Sequence, residues 1–216
     1  RLVRMELKFP GGTSQSVSIP KFMAWKNNTQ AFQYTAIYDF AGPGLNLSGG
    51  SMPEQVKGIH VSADFFPVFD ATPAIGRVFN AEEDRPGGPS LAVMSHGLWI
   101  RRFGGDPTIA GRVITLNGEP YTIVGVLPAS FQSYPPSDLF LPLKADPNST
   151  NQGHYLSAAA RLKPGVSIEA AQAQMAVAAG RFRHAYPNDM NKDESATVVP
   201  FQESMVGDIR RPLLIL

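Results

Sequence analysis

The 216-residue chain contains no cysteine. That absence excludes a disulfide framework, a thiolate-bound metal and a cysteine nucleophile together. Charge is sparse as well: charged residues make up 17%, and 19 Lys and Arg against 18 Asp and Glu leave a formal charge of +1. A nucleic-acid surface needs a concentrated basic patch, and short clusters such as Arg101-Arg102 and Arg210-Arg211 read as solvated faces instead. No Gly-Lys-Ser/Thr tripeptide is present, so no P-loop can cradle nucleotide phosphates. The Gly-rich stretch Gly42-Pro43-Gly44 lacks the third glycine of a dinucleotide fingerprint. Low-complexity tracts and solenoid-type repeats are also missing.

What is present is material for a core. Hydrophobic residues make up 43% of the chain, enough for one large domain or two smaller subdomains. In the first segment Val3, Met5, Leu7 and Phe9 alternate with the charged Arg4, Glu6 and Lys8, which predicts a half-buried strand. After the Gly11-Gly12 turn, Ser18 and Pro20 mark a helix start, with Phe22, Trp25, Thr29 and Phe32 at helical spacing. Tyr34, Ala36, Tyr38 and Phe40 then alternate as a second strand. A matching unit lies near the other end. His154 to Leu162 reads as a strand, Lys163-Pro164-Gly165 as a turn, and Ser167 as the cap of a helix. Along that helix Ile168, Ala171, Met175, Ala178 and Phe182 share one face, with Arg181, Arg183 and His184 in the last turn and Pro187 as the stop. Thr197, Val199 and Phe201 suggest a closing strand. Two strand–helix–strand units with similar apolar faces can share one sheet, as in a split βαβ, ferredoxin-like fold.

The middle is rich in Gly and Pro and reads as a β-rich insertion, so the fold class is α+β. Arg112 to Val124 around Asn117-Gly118 is a hairpin, because Asn-Gly supplies the positive φ angles of a two-residue turn. Leu91 to Met94 is a short buried strand, and Ser95 caps a short helix that stops at Gly104-Gly105. Pro86-Gly87-Gly88-Pro89 is a turn or loop.

Chemistry is harder to find. The four histidines are His60, His96, His154 and His184, and none is paired at the spacing that puts two imidazoles on one helix face. Glu82-Glu83-Asp84 lacks the pattern of a calcium loop and fits the first turn of a helix capped by Asn80. Val93-Met94-Ser95-His96-Gly97 resembles a nucleophile elbow, but Val93 replaces the glycine that permits the sharp turn, and no Asp–His pair stands out as its partner. Ser95 therefore reads as a plain cap. Trp25 and Trp99 lie on apolar helix faces and read as core. Sequons at Asn27, Asn46 and Asn148 matter only in a eukaryotic secretory protein. No catalytic, cofactor-binding or metal residue is assigned.

Several segments together carry a family resemblance. They are Gly58-Ile-His-Val-Ser-Ala-Asp-Phe-Phe66, Ile75-Gly-Arg-Val-Phe79 with Glu82-Glu-Asp84, and Ala92 through Ser95-His96-Gly97 to Asp106-Pro107. Gly111 to Gly118, Tyr121 to Val126 and Arg161-Leu-Lys-Pro-Gly-Val-Ser167 complete the set. Across nearly the whole chain this resembles the periplasmic core domain of MacB-type ABC transporter permeases, especially their duplicated orphan permease branch. The resemblance implies a domain between the first and second transmembrane helices of a bacterial inner-membrane permease. It implies a porter-like α/β subdomain at 1–62 and 152–208, an inserted β-rich Sabre-like subdomain at 63–151, and an approach to a transmembrane helix at 209–216. The apolar Leu213–Leu216 then reads as the start of a longer hydrophobic segment. Such permeases couple cytoplasmic ATP hydrolysis to movement outside the membrane and extrude or release substrates, often with an adaptor protein. Implied partners are therefore the transmembrane helices, an ATPase domain or subunit, and a periplasmic adaptor. The family motifs look structural, so no substrate-contact residue is carried over. Two other readings stand beside this one: an extracytoplasmic ligand- or glycan-binding module, and a serine hydrolase using Ser95.

Overall fold

The structure is a computed structural model, described for residues 1–42, 44–49 and 53–203. The expected approach segment 209–216, with Leu213–Leu216, lies outside the described residues. The first stretch forms β1 (Leu2–Phe9), β2 (Gly12–Ser14), β3 (Ser16–Val17), α1 (Ile19–Asn28) and β4 (Phe32–Asp39). The middle forms β5 (Gly44–Ser48), β6 (Glu54–Val61), α2 (Phe65–Phe69), β7 (Ile75–Gly76), β8 (Leu91–Met94) and α3 (His96–Phe103). It continues with β9 (Val113–Leu116), β10 (Glu119–Val126) and β11 (Leu139–Pro142). The last stretch forms β12 (Leu156–Leu162), α4 (Ile168–Ala185) and β13 (Ser195–Pro200). Among the described residues no helix is long and apolar enough to cross a membrane.

The chain divides into two compact units. An outer unit takes Arg1–Ile37 and the chain from Pro147 onward, and a central unit takes Tyr38–Asp146. Residues 38–62, expected with the outer unit, lie in the central one because β5 pairs β9 and β6 pairs β11.

In the outer unit the strand order is β4-β12-β1-β13, so each βαβ unit has a strand of the other between its own two. β1 pairs antiparallel with both β12 and β13. Directly opposed residues share a face, which stacks Val3, Met5 and Leu7 with Ala160, Ala158, Val198 and Ala196, all buried. Helix α1 packs on α4, and α4 on β13. The helices contribute Phe22 and Trp25, and Ala171, Met175, Ala178 and Phe182, as the sequence spacing predicts. Ser18 and Ser167 are both caps, accepting from Lys21 N and Ala170 N. The first helix stops earlier than its pattern suggested. Thr29 Oγ1 and Asn28 Nδ2 donate back to the Trp25 and Ala24 carbonyls, and Phe32 opens β4 instead.

β1 also departs from a half-buried strand. Arg4 and Glu6 are only 2% and 3% exposed, and Lys8 alone of the three charges reaches water. A central strand has neighbours on both edges, and its second face is covered here too. The Arg4 guanidinium lies 5.2 Å from the centre of the Phe201 ring and 4.0 Å from a Glu6 carboxylate oxygen.

The central unit closes on itself. β6 pairs β5, β5 pairs β9, β9 pairs β10, and β10 pairs β8 in parallel. β8 pairs β11, and β11 returns to pair β6 in parallel. The result is a six-stranded barrel, whose closure removes the exposed edges of short strands. Leu45, Val56, Met94, Ile114, Ile123 and Leu141 fill it together with Leu98 from α3. The β9–β10 hairpin turns at Asn117 (φ 50°) and Gly118 (φ 89°), as the Asn-Gly pair requires. Asn117 also lends Oδ1 to the backbone N–H of Asn46 in β5, extending the ladder beyond the turn.

Helix α2 carries no clear sequence signal, since Phe65-Phe-Pro-Val-Phe69 shows no polar face. It forms because Phe65 and Phe66 insert among Tyr38, Phe79 and Phe140 at ring-centroid distances of 5.0–6.4 Å. The helix expected at Glu82-Glu83-Asp84 is only a turn. Asn80 and Glu83 cap each other reciprocally, but Pro86-Gly87-Gly88 prevents continuation.

Two of the segments quoted above meet at a glycine pair. Gly76 of β7 stands opposite Gly125 of β10. Gly76 has φ 66°, and a Cβ on Gly125 would collide with the Arg77 carbonyl oxygen. Gly125→Ala is expected to cost roughly 3 kcal/mol through forced backbone displacement. A lower urea midpoint at an unchanged slope would register it, and an unchanged midpoint would refute the packing argument.

Candidate functional site

The residues singled out for chemistry do not converge. Ser95 Oγ accepts the Leu98 N–H at 3.2 Å as the cap of α3, and the neighbouring His96 ring turns its edge to Trp99. His60 Nδ1 lies 2.8 Å from Asp39, His154 Nε2 lies 3.0 Å from Lys21 Nζ, and His184 sits in the last turn of α4. Among the described residues no three His, Cys, Asp or Glu side chains gather as a metal would need. Trp25 is fully buried, and Trp99 packs against the barrel core with its indole N–H on the Asp106 carbonyl. In the acidic cluster Glu83 takes a two-pronged bond from Arg77, both contacts 2.7 Å, which holds its carboxyl below the usual range.

What the fold does build are fastenings at the two places where the backbone passes between units. In the central unit both crossings attach near the end of β6. On the inbound side Tyr38 pairs with Val61, and its ring meets Phe65 and Phe69 edge-on at 5.4 and 5.8 Å. The next residue, Asp39, accepts from both the backbone N–H and the Nδ1 of His60 through one oxygen, each at 2.8 Å. On the outbound side Leu143 N donates to the Val61 carbonyl at 3.0 Å. Asp84 then spans the gap. One of its oxygens accepts Ala63 N at 2.9 Å and the other accepts Lys144 N at 2.8 Å. Burial pushes this carboxyl above its ordinary value, and the backbone bonds work against that rise. Lys144 Nζ donates to the Gly88 carbonyl at 2.6 Å, so the loop after β11 is held by side chain and backbone together.

In the outer unit the returning chain is fastened to the start of α1. Gln152 Oε1 accepts from Ser18 Oγ at 3.2 Å, and His154 meets the buried Lys21 two residues later. Burial, and then the Lys21 charge, push His154 below the ordinary histidine value. Burial also lowers Lys21, while Glu194 and Asp189 counteract it. The lowered value at His154 favours a neutral imidazole that accepts from the Lys21 ammonium. No local pattern announces this pairing, because Lys21 and His154 are 133 residues apart.

Asp84→Asn should destabilise the chain by about 1–3 kcal/mol, since an amide offers one acceptor oxygen to two part-buried N–H groups. Chemical denaturation measures this, and a neutral result would mean the bridge is dispensable. Ser95→Ala should cost about 1 kcal/mol as a lost cap, and a serine-reactive phosphonate should leave the wild-type chain unlabelled. Stoichiometric labelling at Ser95 would instead revive the hydrolase reading.

A model of the MacB-like periplasmic core domain family matches residues 1–178. Among solved structures, a domain of a putative permease protein from Porphyromonas gingivalis superposes with a TM-score of 0.70 at 18% identity, covering 93% of this chain and 90% of that one. The extracellular domain of the noncanonic ABC-type transporter YknZ from Gram-positive bacteria gives 0.64 at 12% identity, over 93% of this chain and all 100% of the other. The periplasmic region of MacB from Actinobacillus actinomycetemcomitans gives 0.63 at 13% identity, over 96% and 92%. A search of curated proteins found no match. The family match extends from β1 into α4 and so takes in the whole central unit, and the chain belongs to the MacB-like periplasmic core domains, components of ABC-type permeases and not enzymes.

Proposed function

We propose that this chain is the extracytoplasmic domain of a bacterial inner-membrane permease, and that it transmits movement of the transmembrane helices to substrate efflux or release. The outer unit would be the porter-like part and the central barrel the Sabre-like part. The family match over residues 1–178 carries the reading. The fastenings support its mechanical side. A force arriving through either crossing of the central unit is delivered near the end of β6, into a barrel with strands paired on both sides and an aromatic cluster beside it. Such a unit moves as a body and does not deform locally. Partners on this reading are the transmembrane helices, an ATPase domain or subunit in the cytoplasm, and a periplasmic adaptor.

A binding module without a transport role is the competing reading. Its support is a groove of about 310 Å³ in the outer unit, lined by Lys8, Phe9, Gln172, Asp193 and Thr197 among others. Saturable, tight binding of a small molecule by the chain would favour it.

Hydrogen exchange on the full transporter, with and without nucleotide, tests the proposal. Exchange should change near Ile37–Tyr38 and Asp146–Pro147, where the units divide, while the barrel strands keep their protection. Identical exchange at both crossings in the two states would count against a mechanical role. Hydropathy of the parent gene gives a second check: apolar runs of about 20 residues should flank this segment.

A further inference from the structure

We propose that the contact between Lys21 and His154 is a pH-sensitive latch on the returning chain, closed while His154 is neutral and opened when its imidazole takes up a proton. The latch sits wholly within the outer unit, so its chemistry does not depend on the transport reading. Lys21 lies in the first turn of α1, and its side chain is 2% exposed. Its ammonium stands 3.0 Å from His154 Nε2 and 5.9 Å from the centre of the Phe182 ring on α4. An ammonium has donors only, so Nε2 must offer a lone pair and the ring hydrogen sits on Nδ1. Protonation removes that lone pair. It also places a second cation 3.0 Å from the buried ammonium, a repulsion that water around the exposed His154 screens only in part.

The surroundings offer little relief. From the chain between α4 and β13, Glu194 acts on both groups and Asp189 acts on Lys21. Glu194 is engaged elsewhere, its two oxygens accepting from Asn191 Nδ2 at 2.7 Å and Asn191 N at 3.4 Å. On the returning chain itself, Gln152 holds only the neutral hydroxyl of Ser18. Opposing effects therefore meet at His154, and burial together with Lys21 outweighs Glu194.

The sign follows from linkage. A histidine whose folded value is lowered binds its proton less well in the folded state than in the unfolded one. It contributes stability that is present above the ordinary value of 6.5 and is lost as pH falls through the lowered folded value. The Lys21 charge is the second cause of that lowering, after burial. Opening the latch loosens residues 153–155, which follow the Gln152 fastening and lead into β12. Acid would thus leave the returning chain on the Ser18–Gln152 hydrogen bond without the Lys21–His154 contact behind it. On the proposed placement outside the cytoplasm, the surrounding medium would set its state.

Two measurements on the 216-residue chain test this. The first is an NMR titration of the histidine ring carbons, with His154 identified by its absence in His154→Gln. The second is hydrogen exchange across residues 153–155, corrected for intrinsic rates, from about pH 7.5 to about pH 4.5. His154 should titrate below an ordinary histidine, and protection of the segment should fall roughly tenfold for each unit of lowered value as pH passes through that midpoint. Glutamine keeps an acceptor for Lys21 but does not titrate, so His154→Gln should hold its protection flat with pH. Lys21→Met should return His154 toward the ordinary value. Protection that stays constant while His154 titrates would overturn the latch, and so would an unchanged acid response in His154→Gln. If that variant fails to fold, His154 is identified as the histidine whose midpoint moves in Lys21→Met, and the paired wild-type curves decide, because the latch requires the two midpoints to coincide.

Discussion

Val61, at the end of β6, carries backbone pairing on both sides, and the organisation of the central unit depends on this. On one side Tyr38 brings the inbound chain alongside, and on the other Pro142 and Leu143 leave along the parallel partner. Parallel pairing is what makes the geometry possible. Because β6 and β11 run the same way, both finish at the same end of the barrel, and the chain departs close to where it arrived. An antiparallel partner would have sent the outbound chain from the far end. Asp84 reinforces the point by fixing Ala63 and Lys144, the residues just beyond each strand, to a single carboxylate.

Closure of the barrel follows from the same pairing. β8, β9 and β11 have four residues each, too short to hold a stable open sheet on their own. Once β11 joins β6 and β8, none of them is left as an edge, and the apolar interior is shared by all six strands. The cost is crowding where β7 presses on β10, and Gly76 and Gly125 meet it by having no side chain. Gly76 and Gly125, which lie in segments that carry the family resemblance, therefore have a packing explanation: they permit backbone approach.

Much of the fold was legible wherever the determining interaction is local. Serine caps at Ser18, Ser95 and Ser167, the Asn117-Gly118 turn and the stop at Gly104 act within a few residues, and each stands where the pattern places it. The failures share the opposite character. Helix α2 exists because rings from Tyr38, Phe79 and Phe140 surround it, and these come from positions far along the chain. Arg4 and Glu6 look like solvent-facing residues of an amphipathic strand, yet burial of a strand's second face is a tertiary fact that alternation cannot encode. The division into compact units at Ile37–Tyr38 has the same character. Residues 38–62 continue the strand texture of what precedes them, and only the pairing of β5 and β6 reveals their allegiance.

The fastenings belong wholly to this hidden class, which explains why a search for catalytic spacing passes over them. Catalysis concentrates polar groups around one reacting atom, and such groups often announce themselves as motifs. The proposed mechanical role would instead need polar groups distributed where the chain changes units, each satisfied by a partner distant in sequence. His60–Asp39, Asp84 with Ala63 and Lys144, and Lys21–His154 meet that description. They differ in one respect that matters for regulation. In the central unit the fastening groups are carboxylates on backbone N–H groups or on an imidazole, so opposite charge or dipole holds them. In the outer unit a cation meets a base, a contact that survives only while the base stays neutral. Proton concentration thus acts on the two ends of the return crossing unequally, and the weaker end is the one nearer β12 and the outer sheet.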